Sequence, residues 1–501
     1  ITSTSFTDVH IVIYQTRMEF KNCSFNNISI HATGKHILHL LFSYSTWKGN
    51  GKMRIDLYRK VSFYKCYFRD IHPLNKSPFL SIAQTYQVDI ILCSLESAFV
   101  LPQGMDMLPE PMEQQVMEAY QDTHSSLILI VKVKYVIVES SKFKNNLLSV
   151  GGINLTHLYS TFIRKTAFLA NTLKNNRSFI FQESSTMIKI INCQFSGNII
   201  EKGISMASFE NISVIIVIGA QIFDNQVSSS GGCFKFDHFG QAYIFHSSIT
   251  QNLAGHSAGA MYLYMGLQVH IANCKISDNR ASISGGGLFI QDIQNVTCTN
   301  SSIIHNMAGI QGAGLYLNKL RTVKIYTCLV HENSARNGGG VYGFAVNNIF
   351  IYKTNISSNT AWFQGGGLKL QKLQSLIMVL SHCIENKAHI LGATLSLGYF
   401  DISKIYLCFY QSNLKVGIYA YNGNTLINEN CSFRNNSGKL GAGIFARRCK
   451  AIITRNAVFD RNMATRYGAA IYGQFVIVVR NINSSFIRNR GKTGGALFFQ
   501  Q

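Results

Sequence analysis

Bulky apolar side chains stand three residues ahead of an asparagine again and again along this chain, from Phe143 and Asn146 to Phe486 and Asn489. The asparagines are Asn146, Asn171, Asn198, Asn225, Asn252, Asn279, Asn306, Asn333, Asn359, Asn386, Asn413, Asn436, Asn462 and Asn489, separated by 25, 27, 27, 27, 27, 27, 27, 26, 27, 27, 23, 26 and 27 residues. A period of this length marks a solenoid, whose repeats bury their apolar faces only by stacking on their neighbours. Between these punctuation points lie short β-branched runs with period-two alternation, which read as strands. Helical periodicity is absent from them.

Five to seven residues after most of these asparagines comes glycine, often in a run such as Gly285-Gly286-Gly287 or Gly365-Gly366-Gly367. Alanine recurs two positions after the asparagine, as at Ala254, Ala281, Ala308, Ala335, Ala361 and Ala388. Three short strands and three turns in about 27 residues make one coil of a single-stranded parallel β-helix, an all-β fold with coils spaced by roughly 4.8 Å. Equivalent residues then form columns. An inward asparagine bonds to the asparagine of the next coil and to turn backbone, so Asn198, Asn225, Asn252, Asn279, Asn306, Asn333, Asn359, Asn386 and Asn413 are expected to build an internal ladder. Parallel crossovers make the coil right-handed.

The segments Phe486-Ile487-Arg488-Asn489 with Gly494-Gly495-Ala496-Leu497, and Phe433-Arg434-Asn435-Asn436 with Gly441-Ala442-Gly443-Ile444, resemble the paired FxxN and GGA[I/L] repeats of the chlamydial polymorphic outer-membrane protein family. The resemblance covers residues 143 to 497 and implies the pectin-lyase-like β-helix superfamily. It also implies a cell-surface setting, since such repeats occur in eukaryotic surface proteins as well. The membrane β-barrel that ends the bacterial autotransporters has no counterpart here, and many coils carry Gly-Ala-Gly or Gly-Gly-Gly in place of Gly-Gly-Ala.

Eight of the twelve cysteines sit five residues before a ladder position: Cys23, Cys66, Cys93, Cys193, Cys274, Cys328, Cys408 and Cys431. The first three project the ladder onto Ile28, Ile71 and Ala98, so residues 1–100 read as divergent coils of the same helix. Inward alternation favours free thiols acting as small hydrophobes; cross-links between Cys66 and Cys93, or Cys408 and Cys431, are the alternative. Residues 101–125 break the period with Pro109, Pro111 and a run of acids, reading as an insertion loop or short helix, with a lid as a second reading. Residues 126–501 carry the regular repeats and stop in mid-coil. We therefore expect one elongated solenoid of about 17 coils, roughly 80 Å long, cut from a longer protein. Membrane attachment is expected only through segments beyond this sequence.

Charge narrows the partner. The net charge is +22, from 46 Lys and Arg against 24 Asp and Glu, yet charged residues are only 14% of the chain. A typical share is about 25%, so scarce carboxylates, not enriched cations, create the excess. The cations read as spread over outward positions without a nucleic-acid motif, which points to acidic polysaccharide or an anionic cell surface and away from specific nucleic-acid binding. Twelve Asn-x-Ser/Thr sequons, none on a ladder asparagine, point to an extracellular or cell-surface glycoprotein. Asn300, Asn355, Asn430 and Asn483 are the leading glycosylation candidates.

Chemistry-bearing clusters are scarce. Glu183, Glu210 and Asp237 each follow a ladder asparagine by twelve residues and so stack on three successive coils, with His238 next in sequence. Such a stack repels itself unless a cation binds or a proton is taken up, so it is a candidate calcium site or acid/base pair for a polysaccharide lyase or hydrolase. The plain alternative is a polar outward column, because Tyr264, Gln291 and Asn318 continue the same phase. No lysine or arginine completing a lyase site stands out. Asp278 and Glu332 precede ladder asparagines two coils apart, too far for a tight pair, and His305 and His331 read as surface residues. The leading expectation is a non-enzymatic adhesion or recognition rod without cofactor; the enzyme, with calcium, is the alternative.

Overall fold

The computed structural model describes residues 1–35, 37–72, 78–100 and 126–500. The expected insertion at 101–125 lies outside them. Two compact units are formed, Ile1–Gly240 and Gln241–Gln501, a division inside the strand Phe234–Phe245 that the repeat pattern does not mark.

Both units are stacks of parallel coils. A regular coil of the second unit consists of a twelve-residue strand (Leu288–Thr299), a three-residue strand (Ser302–Ile304) and a two-residue strand (Met307–Ala308). Each pairs in parallel with its equivalent one coil on: Leu288 with Leu315, Ile303 with Val330, Met307 with Ser334. The first unit repeats this from its start, with His10–Tyr14 beside Ser29–Thr33, then Lys52–Asp56, then Leu80–Ala83. The projected positions Ile28, Ile71 and Ala98 are buried, and the Ala98 N–H donates to Asn146 Oδ1 at 3.0 Å.

The long strand runs on through a corner, because one residue in the left-handed region bends it and the parallel pairing resumes on the far side. Asp292, Lys319, Ala345 and Lys372 occupy that bend with φ between 53° and 56°. Two further columns do the same at the other corners, one through Asn273, Asn300 and Thr327, the other through Asp278, His305 and Glu332. The glycine run makes the remaining corner. Gly285 has φ of +68°, and a Cβ on Gly286 would stand 2.3 Å from the Met307 carbonyl oxygen.

Inward columns form the core. Phe143, Phe168 and Phe195 stack at 5.0 and 4.8 Å in the first unit; Tyr410, Phe433, Phe459 and Phe486 stack at 4.7, 4.7 and 5.1 Å in the second. The asparagine ladder lies beside them, running Asn146, Asn171, Asn198, Asn225 in the first unit and Asn252 through Asn489 in the second. All twelve cysteines are free and buried. The column of the eight phased cysteines is shared with Ser45, Ser141, Ser301 and Ser381, and cysteine and serine alike donate to the carbonyl two residues back, as Cys274 does to Ala272 and Ser301 to Thr299.

Candidate functional site

Glu183 and Glu210 lie on neighbouring strands, Ile180–Ile191 and Ala207–Ile218, and pair in register. Asp237 follows on Phe234–Phe245. Each carboxylate precedes a left-handed bend residue, Ser184, Asn211 or His238, so all three side chains leave the outward face just before the strand turns.

Lys235 changes what the column can do. Standing two residues before Asp237, it projects from the same face of the strand. Its Nζ reaches Asp237 Oδ2 at 2.8 Å and Glu210 Oε1 at 3.4 Å, with the Lys235 side chain 17% exposed. Burial pulls the lysine toward neutrality, but the hydrogen bond to Asp237 and the charges of Glu210 and Asp237 outweigh it and raise its pKa. Lys235 is therefore a resident cation and not a base. Ser208 Oγ donates to Glu210 Oε1 at 3.0 Å, and His238 Nδ1 lies 2.6 Å from Asp237 Oδ1. Glu183 faces Glu210 without a salt bridge among the described residues. Across those residues no three His, Cys, Asp or Glu side chains converge to hold a metal ion.

A second polar column emerges in the Gln241–Gln501 unit. Asp278 and Glu332 are two coils apart, but His305 stands between them on the same corner, with Nδ1 3.7 Å from Asp278 and Nε2 hydrogen-bonded to Glu332. His331 adds a contact to Glu332 at 3.1 Å and one to Ser357 Oγ at 2.9 Å. The hydrogen bond from His305, helped by the charges of both histidines, holds Glu332 below the usual glutamate range. The 27-residue steps from 278 to 305 to 332 carried this signal; a search confined to acids passes over it.

Asn300, Asn430 and Asn483 occupy one left-handed corner, with φ of 46°, 53° and 48°, and are exposed, as is Asn355. Asn300 also accepts a hydrogen bond from Thr327 Oγ1. Of the eleven sequon asparagines among the described residues only Asn154 is buried.

A family model described as "Right handed beta helix region" matches residues 178–342. No curated protein matches the sequence. The match spans parts of both units and agrees with their parallel coils and stacked asparagines. Together these findings support the pectin-lyase-like right-handed β-helix superfamily as the home of this chain.

Proposed function

We propose that the chain is a non-enzymatic recognition solenoid of the extracellular space or cell surface, built on polymorphic-outer-membrane-type repeats and binding acidic polysaccharide or an anionic cell surface. The observation that carries this reading is Lys235. Two of the three stacked carboxylates that would have been the centre of a lyase or hydrolase, Glu210 and Asp237, are tied up with an internal cation, whereas the chain as a whole keeps a net charge of +22. An uncompensated positive surface attracts polyanions and gains from binding them. Ten outward sequon asparagines beside a buried ladder support the setting and the expectation of a glycoprotein. Binding of the secreted chain to a glycan array and to cells at physiological salt tests the proposal, and no binding to any surface would defeat it. Peptide mapping at Asn300, Asn355, Asn430 and Asn483 tests the compartment.

The alternative, a polysaccharide lyase or hydrolase, has one observation in its favour: Glu183 faces Glu210 in register and carries no cation of its own. Turnover of polygalacturonate, alginate or a glycosaminoglycan that vanishes in Glu210→Gln would establish it.

A further inference from the structure

Positive charge is not spread evenly over the repeats. Between Arg434 and Lys492 the sequence holds twelve Lys and Arg and one acid, Asp460, so this stretch alone carries half of the net charge of +22. The coils place several of these cations on one corner. Arg461 and Arg488 occupy the same left-handed turn position on successive coils, with φ of 53° and 51°. Beside them, Ser437–Leu440, Met463–Tyr467 and Arg490–Thr493 form a three-stranded parallel sheet. Its register, with Leu440 opposite Tyr467 and Tyr467 opposite Thr493, lines up Lys439, Arg466 and Lys492 as a second column. All five cations are exposed.

The fold does not require them. The turn position of Arg461 is filled by Ser358, Ser412 and Asn435 on earlier coils with the same backbone conformation. Like charges stacked at roughly 4.8 Å repel one another. Asp460 relieves only part of this, and it does so by gripping Arg488 from Nε at 3.1 Å and Nη2 at 3.0 Å, which fixes that guanidinium. Among the described residues, Lys439, Arg461, Arg466 and Lys492 have no carboxylate partner.

We infer that this corner is the docking face for an acidic polysaccharide, whose sulfates or carboxylates neutralise the two columns. The inference rests on the recognition reading above and gives it a location. Guanidinium forks match planar oxyanions in two-point contacts. Met463 and Ile487 stand singly among the cations, 57% and 44% exposed; they offer apolar contact to a sugar ring and too little area to enter a bilayer. Single-stranded nucleic acid is disfavoured because Tyr467, the aromatic ring of this three-stranded sheet, is half-buried and already stacked on Phe498 at 4.7 Å.

The test uses the full chain carrying Asn435→Gln, so that no sugar attached in the same turn column shades the face. Heparin and polygalacturonate are the probes, titrated over a range of salt. A face variant combines Lys439→Ser, Arg461→Ser, Arg466→Ser and Lys492→Ser. A control removes the same charge from the first unit through Lys21→Ser, Lys132→Ser, Lys165→Ser and Lys202→Ser. The face variant should lose at least about tenfold in affinity and show a shallower salt dependence, while the control stays within about twofold. Its melting temperature should match or exceed that of the parent, since only repulsion is removed. Equal losses in both variants would overturn the location and leave the recognition reading intact. Failure of the parent to bind either probe would overturn both. Equally tight binding of single-stranded DNA at matched salt would overturn the polysaccharide assignment.

Discussion

Asn306 and Asn333 are joined twice, by the main-chain N–H and by the side-chain amide of Asn306, each donating to Oδ1 of Asn333 at 3.0 Å. Asn306 Nδ2 also reaches the Ile276 carbonyl at 3.0 Å, and its Oδ1 accepts two bonds from Asn279 at 3.1 Å. The side chain is wholly buried, so every one of these bonds stands in place of water. Asn306→Leu strands the Asn279 donors and the Ile276 carbonyl together. The expected loss is on the order of 1 to 3 kcal/mol for each stranded group, read from denaturant unfolding. A variant as stable as the parent would show that the ladder is not a source of stability.

Lys235 predicts how the carboxylate column answers calcium. With its charge already among the acids, millimolar calcium should leave the melting temperature of the wild type unchanged. Lys235→Met removes that charge and leaves Glu183, Glu210 and Asp237 to repel one another, which should lower the melting temperature and make it rise on calcium addition. Adding Glu210→Gln should abolish the rise. A calcium response in the wild type would return the column to the list of metal sites.

A column of rings, Tyr262, Phe289, Tyr316 and Tyr342, stacks along the outward face at 4.7, 4.5 and 5.5 Å, and Lys369 takes the next place in register. Burial drives the Lys369 amine down to about 8 from the ordinary 10.5, although Nζ donates to Asn337 Oδ1 at 2.8 Å. The folded state thus binds its proton less tightly than the unfolded chain does. The destabilisation is full below about pH 8 and disappears as pH climbs past 10.5. Lys369→Met should melt a few degrees higher at pH 7, and the gap should close by pH 10.5. A gap independent of pH would mean that packing alone sets it.

Glu332 should report on acid. Its folded pKa lies below the ordinary 4.5, chiefly through the hydrogen bond from His305, so its contribution is present above 4.5 and lost as pH falls through the depressed value. The difference in melting temperature between wild type and Glu332→Gln should accordingly shrink below pH 4.5. The site is exposed and the effect small. A difference that grows on acidification would contradict the pairing.

The thiols should be silent until the chain opens. Burial pushes Cys193 and Cys274 up to about 11, and all twelve cysteines are enclosed. At pH 8 a disulfide reagent should titrate almost none of them in the native protein and all twelve in denaturant. Rapid labelling of the folded chain would refute the enclosed arrangement.

Columns were legible in the sequence because a repeat displays the same inward choice many times over. The ladder asparagines, the aromatic stack and the phase of the cysteines all follow from spacing alone. The cysteine column was half read, since small hydrophobic size explains Cys274 but not Ser301 one coil later; donation to the carbonyl two residues back explains both. Pairings that depend on where a long side chain reaches were not read. Lys235 lies in the coil of Asp237 yet also serves Glu210 in the coil before. His305 turns two distant acids into one chain of contacts. The basic corner escaped because a whole-chain charge total averages over Arg434–Lys492 and the more balanced stretches before it.

The asparagine ladder also has a direction. In the second unit, at every step from Asn252 to Asn489, the earlier residue donates and the later one accepts, so one side-chain N–H of each amide points toward higher residue numbers and its Oδ1 toward lower ones, while the second N–H of amides such as Asn306 reaches a carbonyl of the coil before. Aligned amides add their dipoles and polarise one another. The resulting field is opposite in sense to that of an α-helix, with its positive pole toward the late coils. Those are the coils bearing Arg461, Arg466, Arg488 and Lys492, so an approaching anion meets the cationic side chains and the polarity of the amide ladder acting in the same sense.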